Sequence, residues 1–229
     1  LRRLWMQRAH ENLPRVYLGA VNCDRAAIGF LTKAHQPSFQ HCGMDVSFGE
    51  IIVNNSQPMH RRTEAACDWG SMSLTPDDLA AAGETITGRE LTVPSLTHLV
   101  RPSPALMSRL LELHETAGQL AETKPEMLAI PQVAEAFEQE LIHVMVRCLA
   151  EGAPAEMSIS GRKHSAIIAR FEEFLAGNNL RPVYLAEICA VTGASERMLR
   201  VCCEEHLGMG PIRYLWLRRM HLARRALVS

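Results

Sequence analysis

The stretch Tyr184-Leu-Ala-Glu-Ile-Cys-Ala-Val-Thr-Gly193-Ala-Ser195-Glu-Arg-Met-Leu-Arg-Val-Cys-Cys-Glu-Glu-His206 decides how the chain is read. Its first ten residues predict a short helix stopped by Gly193, and Ser195 is placed to cap a second helix from Glu196 to His206, ending before Gly208. Two short helices joined by a three- or four-residue turn containing glycine make a helix-turn-helix. Gly193 supplies the backbone conformation the turn needs. Cys189, four residues earlier, is small enough for two helices to approach closely. Ile188, Ala194, Leu199 and Cys202 supply the apolar contacts that fix the interhelical angle. Glu196, Arg197, Arg200 and Glu204 are left on the outer face of the second helix. A helix presented in this way enters a DNA major groove with its N-terminal residues at base edges. An arginine there bonds guanine in bidentate fashion, for about 1–3 kcal/mol of discrimination. The competing reading is a plain helical hairpin in which Arg200 pairs with Glu196 or Glu204 at helical spacing.

The next stretch weighs against the hairpin. Gly208-Met-Gly-Pro211 opens a helix with proline at its first position. Apolar Ile212, Leu215, Leu222 and Ala226 then alternate with arginines 213, 218, 219, 224 and 225. From Tyr184 to Leu227 the chain resembles the first helix-turn-helix half of an AraC/XylS-type transcription regulator. The likeness rests on Leu185, Cys189, Gly193-Ala194-Ser195, Leu199-Arg200, Gly208-Met209-Gly210-Pro211, Tyr214-Leu215, Arg219, Ala223-Arg224 and Leu227.

The resemblance implies a reader of two helix-turn-helix units joined by a long helix, here Pro211 to Val228, which is roughly 27 Å at 1.5 Å per residue. Only Ser229 follows that helix, and the first residue is Leu1 rather than methionine. The expectation is therefore a truncated chain that stops about 40 residues short of a two-unit reader and binds DNA weakly or as a dimer. Ser195, Glu196, Arg197, Arg200 and Arg213 are the candidate DNA contacts. Cys189, Gly193, Leu199, Pro211, Arg219 and Arg224 are the candidate structural positions, with Arg219 and Arg224 expected to pair with acids such as Glu187. Trp216 and Leu217 are expected to pack on the unit or on its missing partner, while His206 and His221 read as surface or capping residues.

Working toward the N-terminus, Ser165–Ala176 is amphipathic, with Ile168, Phe171 and Leu175 on one side. Residues 151–161 read as a linker. Leu106, Leu110, Leu113 and Leu120 share one helical stripe and Val133, Phe137, Leu141 and Val144 another, with Pro125 and Pro131 between them. Those stripes fit burial on a sensor domain or on a second subunit, and the resemblance favours dimerisation. Residues 14–101 read mostly as strands and turns, interrupted by a helical turn that Thr75 caps and Pro76 opens. The expected architecture is α+β in three parts. A β-rich, cupin-like sensor spans 1–102, two amphipathic linker helices span 103–151, and an all-α helix-turn-helix unit spans 162–229.

Charge follows the same division. Residues 161–229 carry 11 Lys/Arg against 6 Asp/Glu, and residues 1–160 carry 13 against 19, behind a net charge of −1. A basic module on an acidic body suits a nucleic-acid reader with a separate regulatory part. The 47% hydrophobic and 21% charged content is ordinary for a globular chain, and no apolar run approaches the roughly 18–20 residues of a membrane span. Seven scattered cysteines without C-x-x-C spacing read as reduced, small apolar residues of a cytoplasmic protein.

His35, His41, His60 and His98 lack the H-x-H and carboxylate spacing of a metal-dependent cupin. No nucleophile elbow, phosphate loop or dinucleotide fingerprint occurs. Cys67-Asp68-Trp69 and His60-Arg61-Arg62 are candidates to line a pocket, against a partly buried tryptophan and a solvated basic turn. The expectation is a DNA-binding regulator without enzymatic activity, metal or cofactor. Its partners would be double-stranded DNA, a small-molecule effector, a second copy and RNA polymerase. The alternatives are a cupin-type binder or metalloenzyme with structural C-terminal helices, and a module whose basic helix docks an acidic protein.

Overall fold

The computed structural model describes residues 2–22, 24–55, 58–155, 159–178 and 181–228. Among these residues ten strands form two antiparallel sheets. The first joins β1 (Trp5–Glu11), β8 (Cys67–Leu74), β3 (Ala26–Leu31), β6 (Ile51–Val53), β9 (His98–Arg101) and β10 (Ala153–Ala155) in that order. The second joins β2 (Arg15–Ala20), β7 (Pro58–Thr63), β4 (Phe39–His41) and β5 (Met44–Val46). The class is α+β, with a β-rich N-terminal part and, among the described residues, eight helices.

Alternating burial explains the layering. Leu31, Ile52, Cys67 and Leu99 meet Phe39, Met44 and Val46 in the core between the sheets. The opposite face of the larger sheet presents Ile28, Phe30, Ile51, Met72, Leu74 and Val100 to the helices. These are α1 (Pro76–Thr87), α2 (Pro104–Thr123) and α4 (Pro131–Glu151), with α3 (Pro125–Leu128) as a single turn between the last two. Thr75 Oγ1 accepts from Asp78 N at 3.1 Å, and Pro76 opens α1, as the sequence predicts. Leu110, Leu113, Leu141 and Val144 from the two predicted stripes are buried in this same cluster.

The sequence reading is corrected at four places. Strand β1 lies before the stretch read as strands and pairs along its whole length with β8. The linker 151–161 contains β10, which pairs Ala153–Ala155 with Leu99–Arg101 and so extends the sheet; its residues 156–158 lie outside the described ones. Helix α5 (Ile159–Gly177) begins earlier than Ser165. Finally, His60-Arg61-Arg62 is no solvated turn but the middle of β7, between β2 and β4.

Arg61 explains the last error. Its side chain is only 13% exposed and its guanidinium bonds Glu11 Oε1 at 2.6 Å. It lies 4.1 Å from the Trp69 ring centroid and 5.9 Å from that of Phe39. A charge so enclosed is tolerated because its counter-ion and aromatic faces replace water. Nothing in a local polar string reveals such an interior cation.

Candidate nucleic-acid interface

Helices α6 (Leu185–Thr192), α7 (Glu196–Leu207) and α8 (Pro211–Val228) follow α5. Gly193 stands at φ 65°, in the left-handed region, and Ser195 Oγ accepts from Met198 N at 3.2 Å. Both local signals therefore do what the sequence assigns them. Ile188, Leu199, Cys202 and Cys203 are wholly buried with Phe171 of α5, and Ala194 is 8% exposed. Leu199 and Ile188 lock the two short helices together, and Phe171 ties them to α5. Cys189 is half-buried and packs against the same cluster. Burial pushes the Cys203 thiol up to about 12 and Cys202 up to about 11, so these cysteines act as small apolar fillers rather than nucleophiles. The six described cysteines are free thiols; Cys23 lies outside the described residues.

The solvent side of α7 carries the chemistry. Glu196, Arg197, Arg200 and Glu204 are exposed, and with Arg213, Pro211, Ile212, Gly210 and Leu185 they line an open cleft of about 490 Å³. Among the described residues, Arg197, Arg200 and Arg213 form no ion pair, including the one expected between Arg200 and Glu196 or Glu204. Three cations are thus held around one concavity with their donors available. Guanidinium groups in this state suit phosphate oxygens or the acceptor edge of guanine. Glu196 and Glu204 at the rim reject phosphate and accept from an amino group such as cytosine N4.

The structural positions divide. Pro211 is buried at the start of α8. Arg219 and Arg224 are exposed and form no ion pair among the described residues. Glu187, the acid expected to hold them, is instead bound by Arg181 at 2.9 Å and accepts from Tyr184 N at 2.9 Å. Position decides this: Glu187 sits in the first turn of α6, where a carboxylate bonds the free backbone N–H at the helix start. Trp216 and Leu217 are 60% and 39% exposed, so of the two expected packing surfaces the unit itself is not the one they fill.

Two residues that the sequence reading passed over matter here. Glu172 of α5 is 6% exposed and lies 3.2 Å from Arg218 and 3.5 Å from His60 of β7. Burial alone would raise its carboxyl, but contacts with His60 and Tyr214 and the charge of Arg218 hold it below the usual range. His206, read as a surface or capping residue, is 2% exposed in the last turn of α7, and burial pushes its imidazole down to about 4. Its ring packs on Gly43, where any Cβ would overlap it. A glycine after a short strand was the available signal, but nothing local joins it to a histidine 163 residues away.

No family model and no curated protein matches the chain. Among solved structures it is similar to the AraC-like transcriptional activator CuxR, with 14% identity and a TM-score of 0.43 over 95% of this chain and 76% of that one. It is also similar to a lysine-to-alanine variant of apo ToxT from Vibrio cholerae (10% identity, TM-score 0.46, 89% and 75% covered). Unsaturated fatty acid-bound wild-type ToxT from the same organism gives 11% identity and a TM-score of 0.40, with 90% and 74% covered. With TM-scores below 0.5 these likenesses establish neither family nor function for this chain.

Among the described residues no group of three His, Cys, Asp or Glu side chains is placed to hold a metal ion. Nor is any of the described helices long and apolar enough to cross a membrane.

Proposed function

We propose that the chain is a sequence-specific DNA-binding transcription regulator of AraC/XylS type, in which α7 enters the major groove. The observation that carries this reading is the cleft of about 490 Å³ where exposed Arg197 and Arg200 of α7 face Arg213 of α8. It stands on a capped α7 held by a buried core, so the arginines are presented on a rigid element. Arg197 and Arg200, near the start of α7, read base edges with Glu196. Ser195 and Arg213 hold flanking phosphates. Cys189, Gly193, Leu199 and Pro211 set the angle between the helices, and Arg219 and Arg224 line the basic side of α8.

The β-rich part acts as a cupin-like sensor under the control of an effector or partner, in a cytoplasmic protein without bond-making chemistry. The regulator works as a homodimer and contacts RNA polymerase. Each phosphate contact contributes close to one unit to the salt slope, so the affinity of the helix-turn-helix falls steeply as salt rises.

The test is a fluorescence anisotropy titration against pooled duplexes at about 50 mM salt. The unaltered chain binds in a salt-dependent way. Arg200→Ala lowers affinity about tenfold and relaxes one base position, in line with about 1–3 kcal/mol for a bidentate contact. Arg213→Ala weakens all sequences alike and lowers the salt slope by about one. Absence of salt-dependent affinity for any duplex would overturn the reading.

A further inference from the structure

Among the described residues four strands stand at sheet edges, and three of them are protected. Strands β5 and β10 are three residues long, and β1 carries Gln7, Arg8, His10 and Glu11. Shortness and charge are the usual means of keeping an edge from pairing with another chain. Strand β2 has neither. It runs for six residues, with one charge at its start and no proline or lysine within it. Val16, Tyr17 and Leu18 in its middle are 39%, 46% and 42% exposed.

The free edge of β2 also presents hydrogen-bonding groups. Arg15 N donates to Thr63 Oγ1 on β7 at 3.0 Å. On β7, His60 O accepts from Cys42 N on the far side, so its neighbour Arg61 turns its backbone toward β2 and Tyr17. Backbone direction alternates along an antiparallel strand. Arg15, Tyr17 and Gly19 therefore face β7, and the N–H and C=O groups of Val16 and Leu18 face outward.

We propose that a second copy of this chain covers this edge, the two β2 strands pairing antiparallel about a two-fold axis at Tyr17 to make one continuous sheet. In that register Val16 of each copy lies opposite Leu18 of the other. Each such pair exchanges both backbone hydrogen bonds, and its side chains meet apolar against apolar. Charge selects a second copy as the partner. Arg15 falls opposite Gly19 and never opposite itself. The Tyr17 ring lies across Gly19, where any Cβ would overlap it. Each Arg15 therefore comes to rest beside the other copy's Tyr17, a ring that Arg61 of its own copy already flanks at 5.5 Å.

Such an axis runs perpendicular to the sheet and keeps its outer face on one side. The reader unit, helices α5 to α8, is seated on that face of the two-sheet sandwich. Along the seam between them the Arg62 side chain lies on Gly208, the residue that ends α7, and the His206 ring lies on Gly43. No hydrophobic cluster among the described residues crosses the seam. Both copies thus carry their readers on the same side of the joined sheet, as two half-sites on one duplex require. This gives the proposed homodimer its surface. Only the half-site step rests on the DNA-binding reading; the pairing does not.

Sedimentation velocity of the whole chain over about 1–100 μM, where modest interfaces associate, tests the pairing. The unaltered chain passes from one copy to two. Val16→Lys sets an ammonium against Leu18 of the other copy and raises the dissociation constant about tenfold or more. Leu18→Pro removes an outward N–H without touching the β7 ladder and acts in the same direction. Adding Leu18→Glu to Val16→Lys sets opposite charges across both pairs and restores association to within about threefold. Leu96→Lys, at an apolar residue more exposed still, changes nothing. Circular dichroism keeps its signal throughout; if Leu18→Pro unfolds, Val16→Lys decides. A chain that stays monomeric leaves the edge to some other protein's strand and overturns the inference. A dimer indifferent to Val16→Lys also overturns it, while the homodimer then stands on another surface. If the pairing holds and no duplex is bound, the DNA-binding reading alone fails.

Discussion

The sandwich and the reader reach order by opposite routes. In the sandwich, β1 pairs with β8 some sixty residues away, and Glu11 meets Arg61 and Trp69 in the interior. In the reader, the decisive contacts are local: Gly193 turns the chain, Ser195 caps α7, and Glu187 closes the start of α6 three residues from Tyr184. Non-local pairing is specified by many weak choices spread along the chain, whereas caps and turns are specified by one residue each. A reader built from local signals can be moved as a unit. A sandwich built from distant ones holds together or fails as a whole.

Core truncation gives the largest expected effect and the clearest way to break that contrast. Phe171→Ala removes a fully buried side chain from the reader, and Phe30→Ala removes one from the sandwich. Each costs about 3–5 kcal/mol. If the seam separates the two bodies, Phe171→Ala splits thermal unfolding into two transitions with the reader melting first, whereas Phe30→Ala lowers the sandwich's own melting. A single shared transition in both variants would show that the two regions are not independent.

The Arg61–Glu11 pair probes the sandwich at nearly the same scale. Arg61→Met alone strands a buried carboxylate and costs about 3–5 kcal/mol, since a broken buried pair leaves one charge uncompensated. Adding Glu11→Gln restores much of that loss, because Gln keeps an acceptor for Trp69 Nε1 without the charge. Urea midpoints of the single and double variants measure the coupling. Equal midpoints would mean that the pair is not a unit.

Acid acts on both regions. Burial pushes His41, His114 and His206 each down to about 4 from the usual value near 6.5. Above about pH 6.5 these groups are neutral whether the chain is folded or not. As pH falls toward 4 the unfolded chain takes up protons that the folded one refuses, so stability drops, by on the order of 2 kcal/mol per histidine at pH 5. Below 4 the loss levels off. His41 and His114 lie in the sandwich and His206 at the seam, so His206→Leu recovers about a third of the pH-dependent loss in urea midpoints between pH 7 and pH 5. A flat profile would overturn the assignment.

How much was legible follows from the same contrast. The helix-turn-helix, its cap, the Thr75–Pro76 start and both long amphipathic helices stand in the sequence because each is a local or periodic signal. Strand β7 did not, because Arg61 faces inward on a strand whose neighbours are also polar. The burial of His206, read as a surface or capping residue, was not legible because it depends on Gly43, in a turn far away in sequence. The cleft was half visible: Arg197 and Arg200 follow from helical spacing, whereas only the fold brings Arg213 opposite them.

The smallest effect separates two roles of one residue. Thr75 caps α1 against the sandwich, and Ser195 caps α7 in the reader, with closely similar bonds of 3.1 Å and 3.2 Å to the backbone three residues on. Alanine at either position costs about 1 kcal/mol, the usual value of a lost N-cap. Ser195 also stands beside the proposed phosphate path, so Ser195→Ala alone cannot distinguish a lost cap from a lost contact. Asparagine caps about as well as serine but is longer and carries an amide. Ser195→Asn therefore keeps the urea midpoint of the unaltered chain. If Ser195 touches phosphate, the same variant weakens DNA binding about threefold or more; if it only caps, affinity stays with stability. Thr75→Asn, far from the cleft, leaves both unchanged and fixes the scale on which the difference is read.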